Sequence, residues 1–316
     1  MSYFNNKRTN RVSLSKLWIS KLRVSKLWQR GLMMIAASLL IVISAAACST
    51  GSVTSQSVAG DATVAQAPSE SSPTTGSQGS TLDQILAAGK VRIAIPQDSP
   101  PFGSMGTDGQ PQGYDVEVAK MVAESLEVEP ELIPVTSKNR IPFLQSNKVD
   151  MVISSLGATP ERAKSIYFSI PYAPFYSGLY GASGVNITSY QDLSSKTVGV
   201  TNGSLEDLEL TKRIPANVQI KRFEDNSTTA SALLAGQVDA IAIGNTIANV
   251  VIKDNPNQEI ERKFVMQNSP CYIGVRRGDL DLLQWVNVFV ANKRLSGDLE
   301  QLSKTWFNEA LDLPAF

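Results

Sequence analysis

The 316-residue sequence contains no histidine and only two cysteines, Cys48 and Cys271. Histidine is the most frequent general base and metal ligand, so its absence excludes hydrolysis by a serine or cysteine nucleophile paired with histidine. Two cysteines support neither a structural zinc site nor a disulfide framework. We therefore expect neither a metal nor a cofactor.

The sequence also has no excess of charge of one sign, because Lys plus Arg and Asp plus Glu both number 29. The basic residues form no stripe interleaved with aromatic side chains, so we expect no nucleic-acid partner. The hydrophobic content of 42% is ordinary for a globular protein, and the length is sufficient for one or two cores.

The N-terminal segment has the layout of an export signal. It is basic and free of acids up to Arg30, almost wholly apolar over residues 31–43, and small-residue rich just before Cys48. The apolar part is shorter than a membrane-spanning helix requires. Small residues before a cysteine resemble a lipobox, in which the cysteine is acylated, although Ala45 stands where leucine is preferred. The sequence predicts a signal peptide over residues 1–47 and lipidation of Cys48, with ordinary Ala-x-Ala cleavage as the alternative.

Residues 48–80 are rich in Ser, Thr, Gly, Gln, Ala and Pro and contain no aromatic residue. Such a segment cannot bury enough apolar surface to fold, so we expect a flexible tether. Its mean reach is on the order of 30 Å. The folded part is predicted to begin near Thr81.

From Lys90 onward, short apolar strands alternate with amphipathic helices in two sets. The first set has strands at 91–95, 132–135 and 149–154 and helices at 115–126 and 141–145; the second has strands at 197–200, 219–223 and 238–243 and helices at 204–213 and 228–235. This alternation predicts open, mainly parallel α/β sheets. The segments "LQSNKVDMVIS" and "LAGQVDAIAI" indicate two similar lobes, unless they reflect a chance likeness of α/β units.

Ligands of open α/β sheets bind beyond the carboxyl ends of the strands. One segment expected there contains Thr159 as a helix N-cap and Pro160 at the first helical position. Arg162 then falls in the first turn, where the helix dipole disfavours a cation. From the residues alone, Arg162 either faces a bound anion or pairs with an acid at the surface.

Several ordered motifs resemble the family 3 extracellular solute-binding proteins, which are the polar amino-acid receptors of ABC importers. They are "PPFGSMGTDGQPQGYDVEVAKMVAESL", "NRIPFLQSNKVDMVISSLGATPERAKSIYFSIPY", "KTVGVTNGSLEDL", "AGQVDAIAIGN" and "YIGVRRGDLDLLQWVNVFVANKRLSGDLEQLSKTWF". The resemblance covers nearly all of residues 81–306. It implies a two-lobed fold of the type II periplasmic-binding-protein kind, with each lobe an open, mainly parallel sheet flanked by helices.

The resemblance further implies two hinge crossings, with lobe one at 81–181 and 269–316 and lobe two at 182–268. It implies a monomeric, extracytoplasmic receptor that closes on a small carboxylate-bearing ligand, such as a polar amino acid, and docks on an ABC permease. Together with the lipobox, it predicts a receptor anchored to the cell membrane by a lipid.

In the family, the arginine of the T-P-E-R pattern binds the α-carboxylate of the ligand, which assigns that role to Arg162. Other positions that match the family's ligand site are Ser99, Phe102, Asp115, Ser154, Ser155, Gly157, Thr159, Asn202, Ser204 and Glu206. Most members carry an aspartate for the α-ammonium where this sequence has Gly244. Either Glu206, Asn245 or Asp115 replaces that aspartate, or the ligand is not a standard α-amino acid.

Two other functions are compatible with the same fold. One is an enzyme like cyclohexadienyl dehydratase, for which Glu206 or Asp115 would have to supply the general acid. The other is a ligand-sensing domain that reports to a membrane partner. We expect a binding protein and no enzyme.

Overall fold

The computed structural model describes residues 79–314. The predicted signal peptide, Cys48 and nearly all of the tether lie outside these residues. Among the described residues, no helix has both the length and the apolar character needed to cross a membrane.

The helices begin at residues that satisfy their free amide groups. Ser80 and Asp83 form a capping box at the first helix, and Ser204 and Asp225 cap two later ones. The helices are α1 (Thr81–Ala88), α2 (Tyr114–Leu126), α3 (Arg140–Gln145), α4 (Pro160–Ala163), α5 (Leu205–Arg213), α6 (Asn226–Leu234), α7 (Asn245–Asp254), α8 (Leu280–Leu295) and α9 (Asp298–Phe307).

Apolar and β-branched runs form the strands between these helices. The strands are β1 (Lys90–Pro96), β2 (Asp98–Ser99), β3 (Gly103–Met105), β4 (Pro111–Gln112), β5 (Glu129–Val135), β6 (Met151–Val152), β7 (Ile166–Ala173), β8 (Tyr176–Ala182), β9 (Thr197–Thr201), β10 (Gln219–Phe223), β11 (Ala240–Gly244), β12 (Ile260–Asn268) and β13 (Cys271–Arg276).

Two five-stranded sheets carry the fold, and they share one topology. Their strand orders are β5-β1-β6-β13-β7 and β10-β9-β11-β8-β12. In each sheet four strands run in one direction, and one strand, β13 or β8, runs against them. The mainly parallel α/β fold predicted from the sequence is therefore confirmed, and the two lobes repeat the same arrangement. A small sheet of β2, β3 and β4 is added to the first lobe.

The chain passes between the two sheets twice. The first crossing lies at residues 174–175, because β7 belongs to the first sheet and β8 to the second. It precedes the boundary expected at residue 181, so β8 belongs to lobe two and not to lobe one. The second crossing lies at residues 269–270, between β12 and β13.

Apolar side chains fill both faces of each sheet. The largest cluster packs β1, β6 and β13 against α2, α8 and α9, and includes Val122, Val286 and Leu299. Trp285 and Trp306 pack against the same cluster, so the C-terminal helices belong to lobe one. Cys271 is fully buried within it. Separate clusters cover the other face of this sheet and both faces of the second sheet.

Candidate functional site

A narrow cavity lies between the lobes, where loops and helix ends follow the strands of both sheets. The lining residues are Ser99, Ser137, Arg140, Ser155, Gly157, Arg162, Phe175, Ser204, Leu205, Glu206, Asn226, Gly244 and Ile247. The structure thus brings together Ser99, Ser155, Gly157, Arg162, Ser204 and Glu206 from the positions predicted.

Arg162 is held at the base of this cavity by backbone carbonyls of both lobes. Its Nη1 donates to the Gly157 carbonyl at 2.8 Å and its Nη2 to the Gly203 carbonyl at 3.0 Å. Its backbone amide donates to the Thr159 hydroxyl, as the predicted N-cap requires. Arg162 lies in α4, which has only four residues and therefore a weak dipole. The helix dipole thus has little influence on the choice of an arginine at this position. The arginine is instead placed where its guanidinium lines the cavity.

Burial makes the charge of Arg162 costly. The side chain is 7% exposed, and no carboxylate of residues 79–314 lies within 4.0 Å of its nitrogens. Burial, reinforced by the positive charge of Arg140 and opposed by Glu206, lowers the pKa of Arg162 to about 10. The group still carries its charge at neutral pH. A buried cation without a carboxylate partner is a site that a ligand anion would stabilise.

Arg140 is a second buried cation in the lining, and the sequence did not single it out. It begins α3, and its Nη1 donates to the carbonyls of Ser154 and Ser155 at 2.7 and 3.1 Å. Its Nε donates to the Ser137 carbonyl at 3.2 Å. Burial lowers the pKa of Arg140 from its ordinary value. Its position next to a strand end was the only sequence signal that could have pointed to the cavity.

Lobe two contributes the start of α5. Ser204 caps this helix, because its hydroxyl accepts a hydrogen bond from the Asp207 amide. The Asp207 carboxylate accepts a hydrogen bond from the Gly203 amide at 3.1 Å and forms an ion pair with Arg222. Asp207 therefore has a structural role. Glu206 is 5% exposed and accepts a hydrogen bond from the Ser177 hydroxyl at 2.7 Å. It is the carboxylate that lobe two presents to the cavity.

Direct contacts join the two lobes beside the cavity. The first amide of α6, that of Asn226, donates to Asp98 at 2.8 Å, and the Asn226 side chain donates to the Ser99 hydroxyl at 2.9 Å. Lys138 and Glu224 form an ion pair across the same gap. Asn226 was not predicted, although it begins the helix that follows β10 and so obeys the strand-end rule.

Ser155 is held in an unusual backbone conformation by a fully buried carboxyl group. Its φ is 40°, in the left-handed region that non-glycine residues seldom adopt. Asp115 accepts the Ser155 amide at 2.7 Å and the Tyr172 hydroxyl at 2.6 Å. Burial raises the pKa of Asp115 to about 7, against the opposing effect of these hydrogen bonds and of Arg140. Asp115 thus does not line the cavity itself but holds the backbone of Ser155, which does.

The other predicted positions lie around the cavity and not in its lining. Ser154 supplies a carbonyl to Arg140, and Thr159 caps α4. Phe102 is fully buried in the lobe-one core, 5.9 Å between ring centroids from Phe175. Asn202 is exposed, and Asn245 accepts the amide of Tyr176 at the first crossing. Of the three groups considered for an ammonium, only Glu206 lines the cavity.

Gly244 stands where the resemblance implied an aspartate. The space that a side chain at position 244 would need is occupied by the ring of Phe175. A Cβ on Gly244 would lie 2.3 and 2.4 Å from two atoms of the Phe175 ring. The ring cannot shift freely, since it packs against Phe102 in the core. A side chain at position 244 and the present Phe175 therefore exclude one another.

We expect Gly244→Ala to lower the free energy of unfolding by about 1–3 kcal/mol, because the added methyl group overpacks the contact with Phe175. Thermal unfolding followed by circular dichroism measures this loss. The same substitution at Gly184, which has no atom within 4 Å of its Cβ position, is the matched control and is expected to be neutral. Adding Phe175→Leu to Gly244→Ala should restore most of the stability. A Gly244→Ala protein as stable as the Gly184→Ala control would contradict the contact.

Two α/β lobes, two crossings and a buried polar cavity between them define a ligand-binding protein with its site between the lobes. The model of the bacterial extracellular solute-binding proteins, family 3, matches residues 91–309, and the chain belongs to this family. Among residues 79–314 no group of three or more Cys, Asp or Glu side chains is arranged to hold a metal ion.

Named relatives of the chain are amino-acid-binding proteins. It is 31% identical to the L-cystine-binding protein TcyJ of Escherichia coli K12 over 72% of this chain and 85% of that protein. It is 28% identical to the ABC transporter glutamine-binding protein GlnH of Bacillus subtilis, with the same coverage. A solved structure, the ancestral amino acid-binding protein AncCDT-1, a precursor of cyclohexadienyl dehydratase, superposes with a TM-score of 0.66 at 30% identity, covering 72% of this chain and 100% of that one.

Proposed function

We propose that this chain is the extracytoplasmic receptor of an ABC importer and that it binds an amino acid between its lobes, with the α-carboxylate on Arg162. The observation that carries this proposal is the buried Arg162 guanidinium, which joins both lobes and lacks a carboxylate partner among residues 79–314. A guanidinium presents two parallel N–H groups to a carboxylate, which suits it to this role. The amino acids named for TcyJ and GlnH support this ligand class.

Ligand binding would favour the closed arrangement of the lobes. A ligand on Arg162 also faces Ser204 and Glu206 of lobe two, so it gains contacts only when the lobes approach. The bonds from Arg162 to Gly203 and from Asn226 to Asp98 are made in that same arrangement. The closed receptor, acting as a monomer, would then dock on its permease.

The proposed function is tested on the protein as purified. Native mass spectrometry should detect a bound amino acid, and calorimetry should show that the same compound binds and is recovered unchanged. Recovery of a chemically altered compound would favour an enzyme on this fold. If none of the amino acids binds, the proposed ligand class is wrong.

We further propose that Cys48 carries a lipid that anchors the receptor to the membrane. Cys48→Ser is then expected to move the protein from the membrane pellet into the soluble fraction. The reason is that serine at this position cannot carry the lipid that is proposed as the anchor. Fractionation followed by immunoblotting measures the distribution. Cys271→Ala, at the buried second cysteine, is the matched control and should leave the protein in the pellet. A Cys271→Ala protein in the soluble fraction would favour ordinary signal cleavage, and a Cys48→Ser protein that stays in the pellet would contradict lipidation as the anchor.

A further inference from the structure

Two guanidinium groups line one cavity, and neither is paired with an acid. Arg140 is 5% exposed and Arg162 is 7% exposed. Within residues 79–314, neither has a carboxylate oxygen within 4.0 Å, although twelve other Lys and Arg side chains do. Burying two unpaired cations close together is costly unless an anion arrives.

Backbone carbonyls accept hydrogen bonds from only some of the N–H groups of each guanidinium. Arg140 uses Nε and Nη1 for the carbonyls of Ser137, Ser154 and Ser155. Its Nη2 makes no hydrogen bond to any residue of 79–314. Arg162 uses both Nη atoms, and its Nε is not engaged by those residues either. Each arginine therefore keeps N–H capacity in a cavity that both line.

The nearby acids do not compensate Arg140 at contact distance. Asp98 and Asp115 are the lobe-one carboxyl groups whose charges act on Arg140, and neither lines the cavity. Asp98 accepts the Asn226 amide, and Asp115 accepts the Ser155 amide and the Tyr172 hydroxyl. Burial raises the pKa of both groups, that of Asp115 to about 7. Glu206 is thus the carboxylate that a ligand would meet.

We propose that the ligand is an amino acid with a second carboxylate, such as glutamate or aspartate, whose side-chain carboxylate binds Arg140 while its α-carboxylate binds Arg162 and its ammonium binds Glu206. The proposal rests on the proposed function, since it assumes that Arg162 holds the α-carboxylate. Two cations and one anion in the lining are matched by two anions and one cation in the ligand.

The charge pattern selects against other amino acids. An amide side chain would leave Arg140 without a counter-ion, and a cationic side chain would meet its positive charge directly. Leaving one member of a buried, hydrogen-bonded charge pair unpaired costs enough to reject the neutral analogue strongly. We expect L-glutamate or L-aspartate to bind at least about 100-fold more tightly than L-glutamine, L-asparagine, L-arginine or L-cystine.

Calorimetry of the wild-type protein with these six amino acids is the primary test, and it requires no variant. Preference for an acidic amino acid supports the proposal. An amide, arginine or cystine that binds at least as tightly overturns it and leaves the proposed function intact. Failure of all six while another amino acid binds also overturns it, whereas failure of every amino acid contradicts the proposed function itself.

Variants of Arg140 and Glu206 test the assigned contacts. Arg140→Gln should lower the ratio of acid to amide affinity toward one, whereas Arg277→Gln, at an exposed arginine that donates only to the Lys164 carbonyl, should leave it unchanged. If Arg140 instead shares the α-carboxylate with Arg162, its loss weakens every amino acid equally, which overturns the second subsite. Should Arg140→Gln fail to fold, Arg140→Lys, which keeps the charge but not the planar fork, should lower this ratio only in part; an unchanged ratio would contradict the contact. Glu206→Gln should abolish the preference for L-glutamate over glutarate, which lacks the ammonium group.

Discussion

Arg162→Gln is expected to weaken amino-acid binding by about two to three orders of magnitude. Removing one partner of a buried, hydrogen-bonded charge pair costs about 2–5 kcal/mol, and each 1.4 kcal/mol is about tenfold in affinity. Glutamine can still donate to one carbonyl, but it cannot present a charged fork to a carboxylate. Calorimetry with L-glutamate and L-glutamine measures the loss.

The controls separate lost binding from lost folding. Arg162→Lys keeps the charge without the planar fork, so its affinity should lie between those of the wild type and Arg162→Gln. Arg277→Gln changes an exposed arginine by the same substitution and should bind as the wild type does. Circular dichroism checks that each variant is folded. Wild-type affinity in a folded Arg162→Gln protein would mean that the ligand's carboxylate is held elsewhere.

Ionisation of Asp115 is expected to lower the free energy of unfolding as the pH rises from about 4 to about 7. Its pKa is raised from an ordinary 3.8 to about 7, chiefly by burial. The folded protein therefore holds this proton more tightly than the unfolded chain does. The stabilisation is complete below the unfolded pKa and is lost as the pH passes the folded one. At 1.36 kcal/mol per pKa unit, the change amounts to about 4 kcal/mol.

Urea unfolding of the wild type and of Asp115→Asn at several pH values measures this effect as a difference. The difference cancels the contributions of exposed acids, which both proteins share. The stability of the wild type relative to the variant should fall from pH 4 to pH 7. Asp298→Asn is a control of opposite sign, since a hydrogen bond from Lys293 lowers the pKa of Asp298. Parallel profiles for the wild type and Asp115→Asn would contradict a titrating Asp115.

The sequence predicted those parts of the site that follow from local rules. Ser155 and Arg162 lie in the segment that follows β6, and Glu206 lies in the segment that follows β9. The topology of open α/β sheets brings such segments together. The shared "KVD" and "QVD" segments predicted two lobes, and both sheets have the same strand order. Periodicity placed the long helix α2 correctly, because one face of it is apolar.

What the sequence missed depends on contacts between distant residues. Asn226 meets Asp98 across 128 positions, and Arg140 is buried by carbonyls 14 and 15 positions away. No local pattern encodes these pairs. Phe175 was missed because it lies on a crossing, and Phe102 was assigned to the site although it packs in the core. The lobe boundary at residue 181 came from the resemblance, and the sequence predicted no strand where β8 lies.

The two antiparallel strands at the crossings set the order in which the lobes can fold. Every strand of the second sheet comes from the continuous stretch 176–268, so that sheet can be completed as soon as residue 268 is available. The first sheet needs β13, which comes after the whole of lobe two, although β1 precedes it by more than 170 positions. A chain that emerges N-terminus first can therefore finish its second lobe before its first. The arginine-lined half of the site is then assembled last, with β13 paired between β6 and β7.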